Sequence, residues 1–245
     1  HKQQMLFEDA TTEEKKVLAK FVQDKVDLIY VLPTRPAAAA KIATQGTNIP
    51  VIFGLAGIEG INLIDTIAQP GGNITGIRVF SPDNTVKRLE ILHELAPSAK
   101  RINIIHSSTY HTVPANLEAL NKVAPGMGLT LIETPVTNVA DIDASLKARE
   151  KVGKIDIDAI LILPEALTTS PDATTIIGAF SEKYKIPVGT TISTPGTKKI
   201  LFGYDINGKE LGAVSSGMAD KVLKGTPAGT IAVSSPDPEL WVNYK

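Results

Sequence analysis

The sequence predicts an α/β protein made of two doubly wound lobes, each a parallel sheet flanked by helices. Three observations predict it. Short β-branched apolar runs alternate with helical patterns along the chain, the pattern of parallel strands joined by crossover helices. The runs Ile160-Leu161-Ile162-Leu163 and Ile102-Asn103-Ile104-Ile105 show little in/out alternation, as expected of strands covered on both faces. The alternation also falls into two series, one before about residue 80 and one after about residue 100. A (β/α)₈ barrel needs eight regular units, and the tail from Lys199 breaks that order.

In chain order, Thr11 offers a hydroxyl cap to a helix opening with Thr12, Glu13 and Glu14, with Val17, Leu18, Phe21 and Val22 on one face. Strands are expected at 27–32, 50–53, 74–79, 101–106, 130–134, 159–163, 187–189 and 199–202. The alanine run Ala37 to Ala40 opens a helix, where alanine is the best former. Pro70-Gly71-Gly72-Asn73 reads as a turn, because phosphate fingerprints follow a strand and open a helix, the reverse of the order here. In the helix over 84–95, Val86, Leu89, Leu92 and Leu95 form the apolar stripe, with Lys87, Arg88 and Glu90 between them as the polar face. Further helices are expected at 114–123, 141–150, 174–184 and 208–224, the last ending at Gly225.

Composition narrows the function. Of 245 residues 43% are hydrophobic and 21% charged, and 25 Lys and Arg oppose 26 Asp and Glu for a net charge of −1. That balance sets nucleic-acid binding aside, since such binders carry a cationic excess that displaces counterions. The chain has no cysteine, which removes disulfides, thiolate catalysis and cysteine-based zinc sites. His106 and His111 are five apart, a spacing that suits no helical metal pair, so neither a metal nor a cofactor is expected. No apolar run is long enough to span a bilayer, and no signal peptide is visible in this sequence.

Ligands of open parallel sheets bind outside the carboxyl ends of the strands, where side chains, loop backbone and helix N-termini converge. That rule selects Thr34 and Arg35 after the first strand and Gly54, Leu55, Ala56 and Gly57 after the second. Later in the chain it selects Ser107, Ser108 and Thr109, then Glu165, then Thr190 and Thr191. Each has a plainer reading beside the functional one. Ser107 to Thr109 suit a solvated loop with a capping serine, Glu165 a first-turn glutamate favoured by the helix dipole, and Arg35 a surface arginine. A Ser-His nucleophile lacks its G-x-S-x-G elbow. Tyr30, Tyr110 and Tyr204 stand near strand ends or crossovers, where a ring could stack on a solute.

The stretch Asp27-Leu28-Ile29-Tyr30 through Pro36-Ala37-Ala38, then Ile49 to Phe53, then Pro70 to Gly76 resembles the substrate-binding proteins of ABC importers, in the family that includes tryptophan- and tyrosine-type binders. Lys87-Arg88-Leu89-Glu90, Glu94 to Pro97, Ile160 to Pro164, Gly203-Tyr204 and Met218 to Gly225 resemble that family's later blocks. The resemblance implies a type I periplasmic-binding-protein fold: two Rossmann-like lobes joined by a hinge of three crossovers, closing on a ligand. Residues 1–77 with 204–234 would form the first lobe, and 78–203 with 235–245 the second. The implied site comprises Thr34, Arg35, Gly54, Leu55, Ala56, Ser107, Ser108, Thr109, Glu165, Thr190 and Tyr204. Relatives carry Asp-Pro after the second strand where this chain reads Gly57-Ile58, with the acid displaced to Glu59.

Relatives also begin with a further strand and helix, and end with a further helix after Tyr244. The missing first strand is expected to be central in its sheet, leaving two unpaired edges unless another segment fills its slot. The implied function is capture of an amino acid or similar small polar solute, without catalysis and without a cofactor. The protein would act as a periplasmic or extracellular monomer that delivers to a membrane permease, held at the membrane if lipid-anchored. Two alternatives stay open: a ligand-sensing domain of a membrane receptor, and an enzyme using Glu59, Glu165 and His106 as acid and base.

Overall fold

In a computed structural model, the structure describes residues 10–58, 60–78, 82–151, 155–191 and 200–243. Glu59, Val79 of the 74–79 strand expectation and Lys199 of the 199–202 one lie outside them. The chain divides into two compact units, His1–Phe80 with Ile206–Asp237 and Ser81–Asp205 with Pro238–Lys245.

The first unit holds a parallel sheet, β1 (Ile29–Val31), β2 (Val51–Ala56) and β3 (Ile74–Arg78), in that order. Ile29 faces Val51 and Val51 faces Ile74, so the ladder is contiguous. The expected slot of a missing first strand belongs beside residues 4–9, which lie outside the described residues. On its other side β3 meets residue 234, through an Ile77–Ser234 bridge, and among the described residues β1 alone has an unpartnered edge.

Helix α1 (Thr12–Gln23) opens with a reciprocal cap, in which Glu14 N–H donates to Thr11 Oγ1 at 3.1 Å and Thr11 N–H to Glu14 Oε2 at 2.6 Å. It buries Leu18 but leaves Val17 and Phe21 exposed, so its apolar face is only partly covered. In α2 (Thr34–Ala43) the alanine run is fully buried. Its small side chains let the helix lie close on the sheet, a packing role beyond propensity. Helix α7 (Gly208–Leu223) starts at an Asn207 cap and packs Leu211, Met218 and Val222 on Ile52 and Ile77. Gly71 and Gly72 take the positive φ angles of a turn, +76° and +55°. Asn73 Nδ2 donates to Thr44 Oγ1 at 2.9 Å, which ties this turn to the end of α2.

The second unit holds six strands in the order β5-β4-β6-β7-β8-β9: β4 (Arg101–Ser107), β5 (Thr130–Val136), β6 (Ala159–Ile162), β7 (Val188–Thr190), β8 (Phe202–Asp205) and β9 (Glu239–Val242). All neighbours run parallel except β9, which pairs antiparallel with β8. The parallel sheet expected of this lobe is thus closed by one antiparallel edge strand.

Helices α3 (Pro82–Leu95) and α4 (Val113–Val123) cover one face, setting Leu89, Leu92 and Leu120 against Ile102, Ile104, Leu161 and Phe202. Helices α5 (Val139–Lys151) and α6 (Pro171–Tyr184) cover the other, setting Ile142, Leu146 and Ile177 against Ile105, Ile160, Ile162 and Val188. Cover on both faces explains the unalternating strands. One expectation for α3 fails: Arg88, read as part of the polar face, is fully buried.

Candidate functional site

In the first unit the strand ends are tied together by Thr34. This buried residue opens α2, and its Oγ1 accepts the Gly57 N–H at 2.8 Å, joining the exits of β1 and β2. The backbone of β2 shifts register between Phe53 and Ala56, and Leu55 takes a φ of +49°. Non-glycine residues adopt that conformation at a cost, usually where the surroundings over-determine it. Gly54 sits beneath Tyr30, and a Cβ there would meet the Tyr30 hydroxyl and the Leu32 side chain. The Tyr30 hydroxyl lies 3.1 Å from Ser215 Oγ, so Tyr30 is committed to α7. Ala56 is buried. Arg35 pairs with Glu14 across α2 and α1 at 3.0 Å and is half-exposed. The Thr11 backbone N–H, joined by the Thr11 hydroxyl and Arg35, holds the Glu14 carboxyl below its ordinary range.

In the second unit the ends of β4 and β6 meet at Glu165. Its buried carboxylate accepts backbone N–H groups from Ser107 at 3.1 Å, Thr168 at 3.1 Å and Leu167 at 2.6 Å. The first-turn reading of Glu165 is corrected, since α6 starts at Pro171 behind a Ser170 cap. Glu165 fixes the loop between, and Thr168, which the sequence reading did not single out, is part of that cradle. Ser107 Oγ lies 3.4 Å from Thr109 Oγ1, and Ser108 donates its N–H to Val136 O at 2.9 Å. The side chains of Ser108 and Thr109 are exposed at this rim.

At the end of β7 the hydroxyls of Thr190 and Thr191 are buried and have no hydrogen-bond partner. A buried polar atom left unsatisfied costs about 1–3 kcal/mol, so two adjacent ones at a strand exit call for a reason. His106, also buried, places Nδ1 3.1 Å from Ser107 O and Nε2 3.8 Å from Glu133 Oε2. Tyr204 lies in β8, half-buried, with its carbonyl accepting from Arg88 Nε at 2.9 Å. Arg88 was missed because a charge between leucines reads as solvated. The signal available was its place with Thr85 and Leu92 on one helical stripe. Among the described residues no cluster of three or more metal-ligating side chains forms, and no helix is long and apolar enough to cross a membrane.

Comparison with known proteins places this geometry. A tyrosine-binding protein of Clostridioides difficile (strain R20291) is 27% identical over 230 residues, 93% of this chain, and the chain spans 64% of that relative's length. A ligand-free, open substrate binding protein with adhesive properties from Clostridium difficile aligns with a TM-score of 0.72 at 27% identity, covering 95% of this chain and 76% of the other. The ABC domain from Streptococcus pneumonia in complex with L-Trp aligns with a TM-score of 0.77 at 21% identity, covering 94% of this chain and 77% of the other, a likeness of fold. The family model described as ABC transporter substrate binding protein matches residues 2–245, and the chain belongs to that family.

Proposed function

We propose that the protein captures a small polar solute, an amino acid in the first instance, at its strand-end rims and delivers it to a membrane permease from outside the cytoplasm, without catalysis. Beyond family membership, the observation that carries this reading is the pair of buried, unpartnered hydroxyls of Thr190 and Thr191 at the end of β7. Hydroxyls of this kind donate and accept, and suit the carboxylate, ammonium or hydroxyl groups of a solute. In the second unit Ser107, Ser108, Thr109, Thr190 and Tyr204 would serve the site, with Glu165 acting through the loop it holds. In the first unit Thr34, Gly54, Leu55 and Ala56 would line that unit's own strand-end rim, whereas Arg35 is engaged by Glu14. The tyrosine-binding relative makes L-tyrosine the first solute to try.

Thermal shift and calorimetry with L-tyrosine, L-tryptophan, myo-inositol and a hexose test the reading. Ligand at about 100 times its Kd adds roughly 2.7 kcal/mol of stability, a melting shift of about 5–10 °C for a chain of this size. A melting point unmoved by every class would overturn solute capture by this chain.

A further inference from the structure

The guanidinium of Arg88 is wholly buried in the second unit, and the hydrogen bonds it makes go to neutral groups, with Asp205 acting on it only through its charge. Nε donates to Tyr204 O at 2.9 Å, Nη1 lies 3.4 Å from Thr85 Oγ1, and Nη2 is buried with no partner. Burial pushes the guanidinium down to about 10, against the opposing pull of Asp205 and Tyr204. A cation held this way is costly, and apolar residues of similar volume often replace such groups with no loss of stability. Its presence there calls for a reason other than stability.

The hydrogen bonds supply one. Thr85 accepts from Arg88 and donates to Asn116 Oδ1, and Asn116 Nδ2 donates to Thr112 O at 2.8 Å. From Arg88 Nη1 onward each donor points toward Thr112, the residue before α4, while Nε points the other way, to Tyr204. Thr85, Asn116 and Thr112 are all buried. The two ends of this relay have definite places in the chain. Tyr204 and Asp205 are the last residues of the second unit before the chain enters the first, and Thr112 closes the loop that begins with Ser107 to Thr109.

We propose that Arg88 is a positioning residue for solute capture, holding the exit of β8 and, through Thr85 and Asn116, the start of α4 in one fixed arrangement with the Ser107–Thr109 rim. The proposal rests on the solute-capture reading above and extends it to a residue that touches no solute.

Three measurements on the full chain test it: melting temperature, amide hydrogen exchange, and the calorimetric Kd for L-tyrosine. Arg88→Met keeps the length of the stem and removes the charge and all donors. The expected result is a melting point within about 2 °C of wild type or higher, roughly tenfold faster exchange at Tyr204, Asp205 and Asn116, and about tenfold weaker L-tyrosine binding. Thr85→Val cuts the relay but leaves Arg88 on Tyr204, so exchange should quicken at the start of α4 and stay unchanged at Tyr204 and Asp205. Arg88→Lys, able to reach Tyr204 O with one group, should restore protection at Tyr204 and not at Asn116.

Wild-type exchange at both places in Arg88→Met, or an unchanged Kd, would overturn the proposal. A fall in affinity that only tracks a fall in melting point would overturn it too, because that marks a merely structural residue. If wild-type protein binds no L-tyrosine, the capture reading fails for that solute, and the exchange pattern still decides whether Arg88 joins the two segments.

Discussion

Glu165 and Ser107, 58 residues apart, are joined by a 3.1 Å hydrogen bond from the Ser107 backbone N–H to the buried Glu165 carboxylate. The bond ties the exit of β4 to the loop leaving β6, and the same carboxylate receives Leu167 and Thr168. One acidic side chain thus sets the course of two rim segments. Glu165→Ala leaves three backbone donors without their acceptor. Stability should fall by about 3 kcal/mol, a melting drop of about 6–12 °C by calorimetry. Glu165→Gln keeps one acceptor oxygen and should lose about half as much. A melting point unchanged in both variants would show that the loop finds other acceptors.

Thr190 and Thr191 make the opposite prediction for stability. Their hydroxyls are buried without partners, so Thr190→Val and Thr191→Val remove a desolvation cost while conserving shape. Each variant should melt about 2–4 °C higher in the absence of solute. If the hydroxyls recognise the solute, each should also bind L-tyrosine about tenfold more weakly. Higher melting with unaltered affinity would mean that these groups do not contact the solute.

Acid stability follows from Asp158. Its carboxylate accepts the Lys100 and Arg101 amides at 3.1 and 2.8 Å and pairs with the Arg101 guanidinium at 2.7 Å. These contacts, the Arg101 side-chain bond foremost, lower its carboxyl from the ordinary 3.8 to about 2. A depressed carboxyl binds its proton more readily in the unfolded chain, so the stability it adds is complete above about pH 5 and is lost as pH falls through 4 toward 2. Partial exposure holds that contribution to about 1 kcal/mol. Asp158→Asn should melt about 2–4 °C lower at pH 7 and match wild type near pH 2. A difference that persists at pH 2 would place its cause in packing rather than in charge.

Much of this fold was legible because its strands are covered on both faces, so continuous runs such as Ile160 to Leu163 had no competing interpretation. β9 was not legible as a strand. It has four residues, Glu239–Val242, it follows two prolines, and it is defined by its antiparallel partner β8 rather than by its own pattern. The strand-end rule picked out Thr34, Ser107 and Glu165, but not that Thr34 receives Gly57 or that Ser107 donates to Glu165. Gly57 lies 23 residues from Thr34 and Glu165 lies 58 from Ser107, and only the assembled sheet brings each pair close. Arg88 shows the limit of binary patterning: charge implied solvent, whereas a backbone carbonyl more than 100 residues away took the guanidinium into the core.

Gly203 and Trp241 test the edge of the second sheet. They face one another across β8 and β9, and a Cβ on residue 203 would run into the indole Nε1 and Cε2. β8 is held in its ladder by β7 on one side and β9 on the other, so the ring must yield rather than the backbone. Trp241 is the single tryptophan of the chain, and its emission therefore reports this contact alone. Gly203→Ala should cost about 1–3 kcal/mol, lower the melting point by about 3–10 °C and shift the emission to longer wavelength as the ring turns toward water. Gly212 in α7 has open space where a Cβ would stand. Gly212→Ala should therefore leave the emission untouched and melt at the wild-type temperature or about 2 °C above it. A Gly203→Ala protein with wild-type emission and melting would show that the indole does not lie over residue 203.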